Sequence, residues 1–146
     1  MHLKLSFQDY ISIKIHKTDL LLFSFVKSKL APFNLAPEQN LIMMLLWEKD
    51  GLTQYQLVEK LDKDKTNIAR MASSLEKKGF ITRRHCKDDR RSVKLLLTEQ
   101  GRELGEKILP ITEEFNAIVC KGISNEELME FERLLQKMNE NVRTSL

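Results

Sequence analysis

Lys65, Thr66, Asn67 and Arg70 fall within one short stretch and carry the side chains that read base edges. An asparagine amide can bond bidentately to adenine, a guanidinium or ammonium can donate to guanine or phosphate, and a threonine can bond either or touch a thymine methyl. Further along, Arg90 and Arg91 close the run Lys87-Asp88-Asp89-Arg90-Arg91. A narrow A·T-rich minor groove attracts an inserted guanidinium through its enhanced negative potential. Asp89 cannot favour a polyanion by charge, and its expected role is to pair with Arg91 and hold the tip in one shape. Arg83, Arg84, Lys87 and Lys94, with Lys77 and Lys78, are candidates for phosphate contacts. Ser73 and Ser74 are short enough to let the backbone approach phosphates. Taken alone, each of these residues also fits the solvated face of a helix or loop; their place in the chain decides between the readings.

That place is electrostatically distinct. From Gly51 to Thr98 the chain carries twelve Lys or Arg against six Asp or Glu, a net of +6, whereas the whole chain of 146 residues sums to +3. Each Lys or Arg brought near a phosphate releases condensed counterions, so a concentrated basic segment is what a polyanion-binding surface needs. The region from Glu99 to Leu146 is acidic, ten Asp or Glu against six Lys or Arg, which suits subunit association better than contact with DNA.

The elements that must position these residues follow from periodicity and capping. Apolar residues at Ile11, Ile15, Leu22, Phe25, Val26 and Leu30 predict a first helix over Gln8 to Leu30. Pro32 and the segment to Pro37 break it. Pro37 is suited to the first turn of a second helix over Glu38 to Lys49, apolar on most of its circumference and therefore central. Asp50-Gly51 ends that helix, and Leu52 is a candidate strand residue. Thr53 and Gln56 have the spacing of a capping box, opening a third helix to about Leu61 with Leu57, Val58 and Leu61 facing inward. After the turn Asp62-Lys63-Asp64, Asp64 is the expected N-cap of a fourth helix and Gly79 its stop, with an inward stripe of Ile68, Met71, Ala72 and Leu75. The segments Phe80 to Cys86 and Ser92 to Leu97 predict a hairpin. A fifth helix opens at Thr98-Glu99-Gln100-Gly101 with an apolar seam of Leu104, Ile108, Ile111, Phe115 and Ile118. A sixth opens at a second capping box, Ser124 to Glu127, with Leu128, Phe131, Leu135, Met138 and Val142 on its seam. A hairpin directly after the second helix of a short helix-turn-helix is a wing. The predicted fold class is mainly α: a winged helix-turn-helix core with a small antiparallel β wing, flanked by N- and C-terminal dimerisation helices. The helix entering the major groove is then the fourth, and its N-terminal residues are the set from Lys65 to Arg70.

The chain resembles the MarR-type winged-helix transcriptional regulators. The resemblance runs from Lys29-Leu30-Ala31-Pro32 through the C-terminal helices. Its specific parts are Leu52-Thr53-Gln54 with Leu57 to Leu61, then DKTNIARMASSLEKKGFITRR over Asp64 to Arg84, then DRRSVKLLLTEQG over Asp89 to Gly101. It implies a homodimer with interwoven terminal helices, a recognition helix in each major groove of double-stranded DNA, and a wing arginine in the flanking minor groove. The family's Asp-x-Arg wing motif falls on Asp89 and Arg91. One domain over residues 1–146 is expected, with 1–36 and 99–146 as dimerisation helices and 37–98 as the DNA-binding region. Small aromatic or anionic effectors bind many members between dimer helices and winged domain, for which His16, Met44 and Trp47 are the candidates; core packing is the plainer reading of the Met and Trp. Two departures stand out. Ala36 precedes Pro37 where a hydroxyl N-cap is common, and the first helix lacks the reactive cysteine on which the peroxide-sensing branch depends.

Other functions fit less well. His2, His16 and His85 form no nucleophile, base or metal constellation, so neither catalysis, a metal nor a cofactor is expected. His85 and Cys86 are adjacent on a predicted strand and point to opposite faces. Cys86 and Cys120 show no metal-ligand or disulfide spacing. Cys86, flanked by Arg84, His85 and Lys87, leaves a thiol redox-responsive regulator as an alternative, although an incidental thiol is the simpler account. A winged-helix protein-interaction module is the other alternative, but it has no need for a +6 surface. No apolar run approaches the roughly 20 residues of a membrane span, and no secretory signal pattern opens the chain, so a cytoplasmic protein without a membrane partner is expected.

Overall fold

The computed structural model describes residues 5–146; His2 lies outside them. The order is a short 3₁₀ turn Phe7–Asp9, α1 Ile11–Leu30, a second 3₁₀ turn Ala31–Phe33, α2 Pro37–Glu48, α3 Gln54–Leu61, α4 Lys65–Lys77, β1 Ile81–His85, β2 Val93–Leu97, α5 Glu99–Val119 and α6 Asn125–Arg143. The mainly helical fold class is confirmed.

Local chemistry sets most boundaries. The Thr53 hydroxyl accepts the Gln56 N–H at 3.1 Å while Gln56 Oε1 accepts the Thr53 N–H at 2.9 Å, so the expected capping box opens α3. Asp64 caps α4 by accepting the Asn67 N–H at 2.7 Å. The chain leaves α4 through Gly79 at φ +85°, a left-handed conformation that costs a residue without Cβ little. At the other end of the prediction, α1 begins later than Gln8. Ser6 donates through its N–H and hydroxyl to the Asp9 carboxylate, closing a separate short turn, and Tyr10 is extended at ψ 127° before the helix starts at Ile11. α2 likewise stops one residue early, because Lys49 is already extended at φ −148°.

The contacts divide the chain into two units, Met1–Ile111 and Thr112–Leu146. The division falls inside α5, beside Pro110, which has no N–H for the helical ladder. In the first unit the core is built from Ile42, Met43 and Leu46 of α2, Leu57 of α3, Ile68, Ala72 and Leu75 of α4, Ile81 and Leu95 of the hairpin, and Leu104 and Ile108 of α5, all buried. The α2 helix is central, as its apolar circumference predicts. The hairpin is antiparallel, pairing Ile81 with Leu97 and His85 with Val93. Leu52 joins it: the Leu95 N–H donates to the Leu52 carbonyl at 2.9 Å and the Gly51 N–H to the Leu95 carbonyl at 3.1 Å.

In the second unit, α6 opens with the predicted box, Ser124 and Glu127 exchanging bonds at 2.9 and 3.1 Å. None of its residues is buried, and Met129, Phe131 and Val142 are exposed despite the apolar seam.

Candidate nucleic-acid interface

Burial of one face of α4 dictates what the other presents. Ile68, Met71, Ala72 and Leu75 lie against the core, so Lys65, Thr66 and Arg70 stand exposed, with Asn67, Ser73 and Ser74 half-buried beside them. The Asp64 carboxylate does more than cap the helix. Its second oxygen accepts Asn67 Nδ2 at 3.0 Å, and Asn67 Oδ1 in turn accepts from the Arg70 guanidinium. A chain of three polar side chains therefore fixes Asn67 and Arg70 relative to the helix axis. Asp64 also places a negative charge at the positive end of the helix dipole, which disfavours a phosphate there and leaves the exposed face to base edges.

The wing is set by a different group of bonds. Asp89 Oδ1 accepts the Arg91 N–H at 3.0 Å and lies 3.6 Å from Arg91 Nε, so the expected brace is present. The Ser92 N–H closes the tip onto the Asp89 carbonyl at 3.0 Å, and His85 Nδ1 donates to the Arg90 carbonyl at 2.5 Å. These bonds leave the Arg91 side chain 95% exposed, with Lys87 and Arg90 also projecting into solvent. Strand β1 ends at His85, one residue before the predicted Cys86, whose N–H still donates to the Ser92 carbonyl at 2.9 Å.

Alternation along β1 separates two arginines that look equivalent in the sequence. Arg84 is exposed. Arg83 folds back onto Glu76, donating from Nε at 3.2 Å, from Nη2 at 3.1 Å and from its backbone N–H at 3.0 Å. Its guanidinium joins the wing strand to the recognition helix. Lys78 is also turned inward, donating to the Asn34 carbonyl at 2.8 Å and Gln39 Oε1 at 2.7 Å. Partial burial lowers its pKa from the ordinary lysine value. Ser74 belongs to the same cluster, its hydroxyl accepting Gln39 Nε2 at 2.9 Å. Gln39 is thus a hub that the sequence does not announce. It also accepts the Ala36 N–H at 3.3 Å, so half of a capping box survives without the missing hydroxyl. A glutamine three residues after a weak N-cap is the only signal that could have found it.

The candidate effector residues do not converge on a site. His16 is exposed on α1. Met44 accepts the Asn40 amide at 3.5 Å. Trp47 donates from Nε1 to the Gly101 carbonyl at 2.9 Å and lies so close to Gly105 that a Cβ there would sit 2.8 Å from Nε1. Trp47 thereby fastens α2 to the first turns of α5, a packing role. Among the described residues no group of three His, Cys, Asp or Glu is placed to hold a metal ion, and no helix is long and apolar enough to cross a membrane. Cys86 and Cys120 are free and half-buried.

Comparison with known proteins agrees with this geometry. Residues 35–93 match the MarR family. Over 85 residues the chain is 38% identical to the organic hydroperoxide resistance transcriptional regulator of Bacillus subtilis strain 168, the match covering 58% of each protein, so the chain aligns with little more than half of that relative. A MarR family transcriptional regulator from Listeria monocytogenes, solved in complex with a 26mer DNA, superposes with a TM-score of 0.81 at 28% identity, covering 94% of this chain and 91% of that one. A MarR protein from Peptoclostridium difficile DA00132 shares the fold, with a TM-score of 0.85 at 23% identity over 99% of this chain and 95% of its own. Residues 35–93 thus match the MarR family in sequence, and the fold of solved MarR proteins extends over nearly the whole chain.

Proposed function

We propose that this protein is a cytoplasmic transcriptional regulator that binds double-stranded DNA as a homodimer and represses by occluding a pseudo-palindromic operator. One observation carries the reading. The buried stripe of α4 turns Lys65, Thr66 and Arg70 outward on a helix braced by Asp64 and Asn67, within the +6 segment whose wing tip projects Arg90 and Arg91. Lys65, Thr66, Asn67 and Arg70 would meet base edges in the major groove. Arg91, held by Asp89, would enter the flanking minor groove with Arg90, and Arg84 and Lys87 would meet phosphates. The Listeria relative of matching fold was solved with DNA, which supports the same use of this surface.

Exposed apolar residues support the dimer. Ile11, Ile15, Leu20, Leu21 and Phe23 of α1 and Met129, Phe131, Leu134 and Val142 of α6 are all open to solvent in the single chain, apolar side chains that a second copy would cover. The hydroperoxide role of the Bacillus relative is not carried over, because α1 contains no cysteine. Release from DNA by a small aromatic or anionic ligand belongs to the same proposal.

Recovery of bound fragments from the protein's own genome tests the reading. Enrichment of an inverted repeat with half-sites about one helical turn, ~10 bp, apart is expected. Fragments recovered without any common sequence would overturn it.

A further inference from the structure

His85 is the last residue of β1 and is exposed. Its Nδ1 lies 2.5 Å from the Arg90 carbonyl oxygen, a contact that closes the wing tip back onto the strand. A carbonyl oxygen only accepts, so Nδ1 carries a proton whether the ring is neutral or charged. Titration of the ring is thereby confined to Nε2, which has no hydrogen-bond partner among the described residues. In the neutral ring Nε2 presents a lone pair; in the charged ring it presents a donor. An anion is repelled by the first and forms a charge-assisted bond with the second.

The strand decides where that nitrogen stands. Residues 81, 83 and 85 share one face of β1. Ile81 is buried and Arg83 reaches Glu76 of α4, so this is the face turned toward the recognition helix. His85 lies one step nearer the tip on the same face, beyond that ion pair, whereas Arg84 and its partner Lys94 belong to the opposite face. A helix in the major groove and a wing in the adjoining minor groove straddle the sugar–phosphate backbone between the two grooves. That backbone runs past the wing face turned to α4, where Arg83 is already engaged by Glu76.

The charged groups about the ring leave it without a fixed counter-charge. On its own face stands the Arg83–Glu76 pair; in the tip Asp89 is held by Arg91, and Lys87, Asp88 and Arg90 complete the loop. Val93, opposite on β2, is apolar, and the half-buried Cys86 thiol follows in the chain. Among the described residues no carboxylate lies within ion-pair distance of His85. From Arg83 to Arg91 the chain carries five Lys or Arg against two Asp, so the counter-charge for a charged ring comes from an anion drawn to the wing.

We propose that His85 is a proton-linked DNA contact: the charged ring donates from Nε2 to a phosphate of the backbone between the two grooves while Nδ1 holds the Arg90 carbonyl, so DNA binding takes up a proton at this residue. The inference rests on the DNA-binding reading and adds to it a dependence on pH. Because the bound state holds the extra proton, affinity is highest where the ring is charged and falls as pH rises, by at most about tenfold per pH unit for one proton. Histidine is the side chain whose charge changes between about pH 5 and 8.

The test has one arm without DNA and one with it. Nitrogen NMR of the imidazole rings in the full chain should find neutral His85 protonated on Nδ1; a proton on Nε2 instead would overturn the proposal whatever the protein binds. Calorimetric titration with a recovered operator fragment, in two buffers of different ionisation heat, should show uptake of up to about one proton and a dissociation constant that rises severalfold from about pH 6 to about pH 8. His85→Asn, whose amide nitrogen takes the place of Nδ1 and keeps the bond to the Arg90 carbonyl, should lose most of the uptake and flatten the pH profile. His2→Gln with His16→Gln, which removes the other two histidines, should retain both. Uptake unchanged in His85→Asn, or lost in the double variant, would overturn the proposal. DNA binding without proton uptake would overturn it alone and leave the function proposed above intact, whereas a natural protein that binds no DNA at any pH would contradict both.

Discussion

Glu76 and Arg83 join the recognition helix to the first strand of the wing through three bonds, two from the guanidinium at 3.1 and 3.2 Å and one from the Arg83 N–H at 3.0 Å. Both side chains are about one third exposed, at 38% and 32%, so the pair is only partly screened by water. The pair ties α4 to the strand that leads into the wing. Glu76→Gln keeps the shape and removes the charge. A stability loss of about 1–3 kcal/mol is expected in urea unfolding, with a coupling to Arg83→Met well above zero in a double-mutant cycle. Additive losses would show that the pair contributes nothing as a pair.

Asp89 touches Arg91 twice and carries the wrong charge for DNA, so its effect must run through Arg91. Asp89→Ala and Arg91→Ala should weaken binding mainly on A·T-rich flanks, with unfolding unaffected because both residues are exposed. Competition between A·T-rich and G·C-rich flanks checks this. Identical losses on both would remove the minor-groove role.

Asn67 lies between Asp64 and Arg70 in one hydrogen-bonded chain. Asn67→Ala should relax discrimination at its own base position by about 1–3 kcal/mol and also blur the position met by Arg70. Affinities for singly substituted operators measure both effects. A loss confined to one position would show that Arg70 needs no brace.

Much of this arrangement is legible in the sequence because it is local. Thr53, Asp64 and Ser124 announce their helices through bonds reaching three residues, and the buried stripe of α4 is a matter of period. What escaped depends on distant partners. Arg83 and Arg84 are indistinguishable until strand alternation turns one toward Glu76, and Lys78 reads as a phosphate ligand until folding brings it to Asn34, 44 positions away. Ser74 is likewise claimed by Gln39 from α2. α1 starts after Gln8 because the Ser6–Asp9 turn competes with a continuous helix and wins locally.

Trp47, the single tryptophan of the chain, reports the seam between α2 and α5. A Cβ at position 105 would lie 2.8 Å from Trp47 Nε1 and 2.9 Å from Cε2, so Gly105→Ala must displace the indole and its bond to the Gly101 carbonyl. A stability loss of about 1–3 kcal/mol with altered tryptophan emission is expected. Unchanged emission would contradict the packing described.

The Glu127 carboxyl is held below its usual value of 4.5, first by the Ser124 N–H and then by the Ser124 hydroxyl. A group whose pKa is lower folded than unfolded contributes stability that is present above the unfolded value and is lost as pH falls through the folded one. The advantage of the natural protein over Glu127→Gln should therefore be present at neutral pH and vanish in acid below 4.5, read from thermal unfolding across pH. A difference constant down to low pH would exclude the ionised cap as its source.

The central claim is that the surface of α4 and the wing tip engages the DNA backbone through its excess positive charge. Measuring the affinity for a recovered operator across salt concentrations, for the natural protein and for Arg84→Ala with Lys87→Ala, tests it most directly. Binding should weaken linearly on a log–log plot, with a slope of about −0.9 for each phosphate neutralised, and the double substitution should make that slope shallower by one to two such steps. Affinity insensitive to salt, or a slope unchanged by the loss of Arg84 and Lys87, would contradict the account.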